Sequence, residues 1–217
     1  YFHNNGTINC WDCSPENLLG QFKGTDDLKT EDAAVQGILA KAFKNLIDAT
    51  DCDGFRVDAI KHVEFNWVRT WAQGIRDHAA YRGKNDFIVF GELFSYNNAA
   101  LASYCSDGYG FNSALFFPMS QTIKSVFGDG SGTGNLGGAM NQISQYGVGA
   151  NRLVTFMDNH DLNRIALQVS GTDTGNAVWK LKPALSFLYL AAPVPCLYYG
   201  TEHVFNQGGH YNGSNKT

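Results

Sequence analysis

The sequence predicts an α/β fold with a parallel sheet and helices packed outside it. Strand-like and helix-like patterns alternate along most of the chain, which is the rhythm of a parallel sheet. Five short apolar runs, 54–59, 87–91, 114–117, 152–157 and 195–199, read as its strands. Three of these runs close on carboxylates, at Asp58, Glu92 and Asp161. Acidic groups at strand exits are where barrels and open α/β sheets carry their active residues.

Taken in order, residues 1–31 are rich in Asn, Gly, Asp and aromatics without a sustained period, and read as loop with scattered turns. From Asp32 the spacing becomes helical, with Val35, Ile38, Leu39, Ala42, Phe43, Leu46 and Ile47 forming a stripe expected to be buried. Thr30 or Asp32 would cap its start. In strand 54–59 side chains alternate, so Arg56 and Asp58 share one face and Phe55 and Val57 the other. A second amphipathic helix, about 65–80, carries Val68, Trp71, Ala72 and Ile75 on one face. Strand 87–91, a helix near 97–105 and the short strand 114–117 follow. Residues 118–127 read as helix, 128–138 as a Gly-rich surface loop and 139–146 as a weak helix before strand 152–157. Residues 176–191 carry Val178, Leu181, Leu185 and Leu188, with Pro183 expected to start or kink that helix. Strand 195–199 is the last.

Composition narrows the function. Hydrophobic residues are 44% and charged residues 17% of 217, which suits one large core rather than a disordered chain. A net charge of −4 without a basic run argues against a nucleic-acid partner. No apolar run approaches the roughly 20 residues of a membrane span. Five cysteines leave at least one without a partner inside the chain. Cys10-Trp11-Asp12-Cys13 has metal-like spacing but no second pair, and reads otherwise as a local disulfide or two thiols. Glycosylation patterns occur at Asn5, Asn212 and Asn215, and are too short to carry weight.

The strand-end carboxylates carry the chemistry. A cation two residues before Asp58 favours its ionised form, as a nucleophile needs, although a structural ion pair looks the same in sequence. Glu92 follows Phe87-Ile88-Val89-Phe90-Gly91; apolar walls such as Phe90 and neighbouring acids favour its protonated form, as a general acid needs. Asp161 closes the cluster Met157-Asp158-Asn159-His160-Asp161, where His160 is either a site residue or a packed core histidine. A metal-dependent phosphatase built on Asp158, His160 and Asp161 is a rival from another class, and lacks a full ligand set.

Three segments resemble motifs of the α-amylase family (glycoside hydrolase family 13): Gly54-Phe55-Arg56-Val57-Asp58-Ala59-Ile60-Lys61-His62, Phe90-Gly91-Glu92, and Phe156-Met157-Asp158-Asn159-His160-Asp161. The resemblance runs to Tyr198-Tyr199-Gly200-Thr201-Glu202. It implies a partial (β/α)8 TIM barrel, with the five strands as the fourth to eighth, and it implies that the first three, with an Asp/His motif, lie before Tyr1. Residues 1–31 would end the loop-rich excursion after the third barrel strand, and 32–217 would be the C-terminal part of the barrel. An open five-stranded segment exposes two sheet edges, so the isolated chain is expected to fold poorly.

By the same resemblance Asp58 is the nucleophile, Glu92 the acid and base, and Asp161 the third carboxylate, all around one glucose ring. Arg56 and His160 would bind that ring, and Lys61 and His62 the acceptor side. The implied substrate is an α-1,4-glucan such as starch or maltodextrin, and the implied enzyme a secreted monomer. Asp27 and the backbone carbonyl of His62 would be calcium ligands; calcium takes more oxygens than these, so the set is incomplete. The alternative is a cyclodextrin glucanotransferase-like transglycosylase. Such enzymes place a central aromatic four residues before the acid at Asp27, where ungapped counting puts Lys23, with Phe22 one step away; this favours hydrolysis. A non-catalytic binding relative would lack carboxylates that are present here.

Overall fold

The computed structural model describes residues 1–170 and 174–206. The glycosylation patterns at Asn212 and Asn215 lie outside the described residues. The chain forms two compact units, one of residues 1–94 with 108–113, the other of 95–107 with 114 onward.

In the first unit residues 1–31 are loop-rich, as expected. They are tied by isolated bridges between Phe2 and Leu28 and between Thr7 and Gln21, by a Cys10–Cys13 disulfide, and by one short helix, α1 (Glu16–Leu19). Helix α2 (Ala33–Thr50) starts at Asp32, whose carboxylate accepts the Ala34 and Val35 N–H groups. The other candidate cap, Thr30, instead donates its hydroxyl to Glu64. The expected stripe on α2 is only partly buried. Val35 and Ile47 are covered, while Ile38 is 56% and Leu46 42% exposed. The helix meets the core along a narrow edge, where Phe43 packs edge-on against Phe55 and Trp71.

Strand β1 (Gly54–Val57) pairs in parallel with β2 (Ile88–Gly91), with Arg56 opposite Phe90 and Val57 opposite Gly91. Phe55 stacks edge-on against Phe87, so the rear of β1 is apolar as the alternation predicts. The strand is shorter than expected: Asp58 and Ala59 form a turn, with Ala59 left-handed at φ 49°. Helix α3 (Phe65–Tyr81) buries Val68, Trp71, Ala72, Ile75 and Ala79, the predicted face. The third strand of this sheet, β3 (Ser113–Ala114), is two residues long.

In the second unit α4 (Asn98–Cys105) is capped by Asn97, which accepts the Ala100 N–H. The run expected as strand 114–117 ends early. Leu115 bridges Val154 in parallel, and Phe117 already opens α5 (Phe117–Ile123), with Pro118 in its first turn. A π-helical turn, Lys124–Gly128, continues α5. The expected Gly-rich loop is in part helix, α6 (Gly134–Asn141), anchored by buried Leu136; tertiary packing outweighs the poor helix propensity of its glycines. Two 3₁₀ segments within Gln142–Arg152, kinked at Gly147, lead to β4 (Val154–Phe156). Helix α7 (Ile165–Ser170) has no counterpart in the sequence reading. Helix α8 (Thr174–Ala191) runs through Pro183 rather than starting there. It buries Ala177, Leu181, Ala184 and Leu188, while the expected Val178 is 40% exposed. Strand β5 (Val194–Cys196) pairs in parallel with β4.

Candidate active site

In the first unit the paired exits of β1 and β2 bring the two predicted carboxylates to one guanidinium. Arg56 Nη1 donates to Asp58 Oδ1, and its Nη2 lies 2.9 Å from Glu92 Oε1. The strand register makes this possible. Glu92 N–H donates to the Val57 carbonyl at 2.8 Å, and Ile60 N–H to the Glu92 carbonyl at 3.1 Å, so Glu92 is held beside the turn bearing Asp58. Left-handed Ala59 bends the chain between those two bonds. Gly91 is glycine because Ile60 packs against it; a Cβ there would meet Ile60 Cδ1 at 2.3 Å. The two carboxylates differ in exposure, with the Asp58 side chain 71% exposed and that of Glu92 9%.

Lys61 and His62 follow on the 3₁₀ turn Ile60–His62. Lys61 Nζ pairs with Asp12. His62 Nδ1–H donates to the Asn17 carbonyl at 2.8 Å. Its ring meets Trp11 edge-on at 5.5 Å and Phe22 at 5.8 Å between centroids. Phe22, not Lys23, is therefore the residue that faces His62; Lys23 sits at φ 52° in the tight Phe22–Thr25 turn. Sequence reasoning missed Asp12 and Trp11 as neighbours of this segment.

Asp27 faces His3. The His3 ring spans two carboxylates, with Nδ1 2.5 Å from Asp27 and Nε2 2.8 Å from Glu31. Burial works against the charged ring, but bonds to Glu31 and Asp27 outweigh it and raise its pKa above 6.5. Burial likewise raises Asp27, against the pull of His3. Among the described residues no three His, Cys, Asp or Glu side chains stand together to hold a metal ion. Asp27, one of the two residues expected to ligate calcium, is bonded to His3 here.

In the second unit the turn after β4 carries the third acid. Asn159 Oδ1 accepts the N–H groups of Asp161 and Leu162, both at 2.9 Å, shaping the turn that presents Asp161. His160 Nε2 lies 3.1 Å from Asp161 Oδ2, and the His160 side chain is 59% exposed, so it is not a packed core histidine. Asp158 is the buried member. It accepts Ile165 N–H at 3.0 Å and the Thr201 hydroxyl at 2.9 Å, and burial raises its pKa against those bonds. Its oxygens serve the fold, which removes it from the metal-phosphatase reading. Arg164, 1% exposed, donates to the Tyr199 carbonyl at 2.8 Å and lies over the Tyr198 ring at 4.0 Å. This knot ties the exits of β4 and β5 together. The Tyr198–Glu202 motif was visible in sequence, but its use was not.

The arrangement matches known proteins over nearly its whole length. A family model described as alpha amylase, catalytic domain, matches residues 5–212. An α-amylase of Streptomyces lividans is 31% identical over 215 residues, covering 96% of this chain and 23% of that protein. A cyclomaltodextrin glucanotransferase of Thermoanaerobacterium thermosulfurigenes is 30% identical over 217 residues, covering 98% of this chain and 28% of that protein. The crystal structure of a Geobacillus thermoleovorans α-amylase complexed with acarbose superposes with TM-score 0.85 at 27% identity, over 96% of this chain and 45% of that one. The chain thus spans less than half the length of these relatives.

Proposed function

The chain belongs to the α-amylase family, and from that premise we propose that it carries the catalytic carboxylates of a retaining glycosidase acting on α-1,4-glucosidic bonds of starch or maltodextrin. The observation that supports this best is the Arg56 fork, which reaches one exposed and one buried carboxylate at neighbouring strand exits. The proposed reaction needs Asp58 as the carboxylate and Glu92 as the acid.

An Asp58 oxygen attacks the anomeric carbon as Glu92 gives its proton to the departing glycosidic oxygen, leaving a glycosyl ester on Asp58. Glu92 then takes a proton from water, whose oxygen attacks the same carbon and frees Asp58. Asp161 and His160 are assigned to sugar hydroxyls, with Asp161 stabilising charge in the transition state. Lys61 and His62 are assigned to the acceptor side. No step passes through calcium; Asp27 and the His62 carbonyl offer two of the roughly six to eight oxygens that ion takes. We read the full-length protein as a monomer working outside the cell, where a disulfide such as Cys10–Cys13 persists.

Trapping with a 2-fluoro glycosyl fluoride tests the reading. The full-length protein should be labelled at Asp58, and Asp58→Asn should not be labelled. A label on another carboxylate, or on Asp58→Asn, rejects the assignment. Phe22 against His62 favours a second reading, transfer to a sugar in place of water, because glucanotransferases of this family set an aromatic near that position. Products from soluble starch separate the two: linear oligosaccharides for hydrolysis, cyclic ones for transfer.

A further inference from the structure

Lys61 does not stand alone on the acceptor side. Its Nζ is paired with Asp12, a residue 81% exposed and far from it in sequence. Asp12 has no helix or strand to hold it; it lies in the four-residue loop closed by the Cys10–Cys13 disulfide. The same loop carries Trp11, whose ring meets His62 and, at 4.8 Å, Phe22. The start of the loop is pinned as well. The Glu16 carboxylate accepts the Asn9 N–H at 2.5 Å and the Cys10 N–H at 3.3 Å. Two successive residues of one covalently closed loop therefore meet two successive residues of the acceptor-side segment, an acid on the lysine and an indole on the imidazole.

We infer that the disulfide loop is an acceptor-specificity element, in which Asp12 is a positioning residue that fixes the Lys61 ammonium for an incoming sugar hydroxyl. The inference rests on Lys61 serving the acceptor side, as assigned above. The physical need is clear. A lysine ammonium on a four-carbon stem is a mobile point charge, and loses rotamer entropy each time it meets a ligand. A partner carboxylate on a rigid loop orders it in advance, and lowers the cost of engaging the acceptor. The bond to Lys61 lowers the Asp12 pKa below its ordinary value of 3.8. The Asp12 end of the bond is exposed, so its effect belongs to acceptor binding more than to fold stability.

The experiment partitions a glycosyl fluoride donor between water and added maltose in the full-length protein. Asp12→Asn should raise the KM for maltose and lower the transfer-to-hydrolysis ratio by ~3–10-fold, the effect of one hydrogen bond. Asp12→Glu should restore much of the ratio, and the Cys10→Ser/Cys13→Ser pair should reproduce the loss. A ratio unchanged in Asp12→Asn, or one that falls only in step with total fluoride release, overturns the inference. Loss of the ratio in Asp12→Asn but not in the double serine variant overturns the part played by the disulfide. A wild-type protein that releases no fluoride fails the glycosidase reading itself, and this inference falls with it.

Discussion

In the proposed reaction Arg56 is the residue on which the first unit's chemistry turns. A guanidinium can reach two carboxylates from one planar fork, and lysine cannot. Arg56→Lys should therefore lower kcat by ~10–100-fold, the worth of one charged hydrogen bond, with a smaller change in KM. Steady-state kinetics on maltooligosaccharides check it; a variant with near-normal kcat would remove Arg56 from the mechanism. Glu92→Gln keeps the shape and removes the proton, and should cost at least ~10²–10⁴ in turnover. These residues were legible because each sits at a fixed place in a local pattern, an acid at the exit of an apolar strand. Asp12, Trp11 and the Asp158–Thr201 bond were not, because each joins segments far apart in sequence, and no local period reports a partner. His3 belongs to the same class. Its ring should titrate above 6.5 by NMR and fall back in a Asp27→Asn/Glu31→Gln variant. A base whose pKa is raised on folding adds stability that is whole below its unfolded value and is lost as pH rises through the folded one. The stability gap between wild type and His3→Gln should therefore shrink on going from pH 6 to pH 9; a constant gap would exclude the clasp.

At the scale of elements, the π-helical turn after α5 carries Lys124, half-buried and close enough to Asp158 to feel its charge. Its Nζ donates to the Asn163 carbonyl at 3.3 Å. Burial lowers its pKa from 10.5 to about 8, against the pull of Asp158. Here the sign is opposite to that of His3. Between pH 8 and 10.5 the unfolded chain holds a proton that the folded one has lost, so stability rises with pH across that window. The span corresponds to about 3 kcal/mol, borne in full at neutral pH. Lys124→Met should lack this rise, which denaturant melts at pH 7.5 and 10 would show; parallel pH trends in the two proteins would refute it. The turn was invisible in sequence, since 118–127 has an ordinary helical pattern and a single wide turn leaves it unchanged. The same blindness explains α6 and α7. Glycines argued against the first, and the second is too short for a period to register. The long amphipathic helix α3 was legible face by face. The flank of α2 was not, because a 3.6-residue period shows that a face is apolar and not whether anything covers it.

For the whole molecule, that distinction becomes a prediction about solution behaviour. Each unit keeps large apolar side chains in water on its helices. In the first, Ile38, Leu46 and Tyr81 are 56%, 42% and 83% exposed; in the second, Trp179 and Leu190 are 77% and 87% exposed. Single exposed leucines are ordinary, whereas contiguous apolar patches mark surface that binds something or aggregates. The 217 residues studied alone should bind ANS and associate as concentration rises. They should also unfold over a broad range rather than in one cooperative step, since two compact units need not melt together. Ile38→Lys with Leu190→Lys should reduce dye binding and association, because the charges sit on surface already in water and remove only its apolar character. Sharp melting of the unmodified chain, with coincident fluorescence and circular dichroism transitions and no dye signal, would show these faces to be harmless. It would leave the carboxylates at the strand exits on a scaffold able to hold them without help.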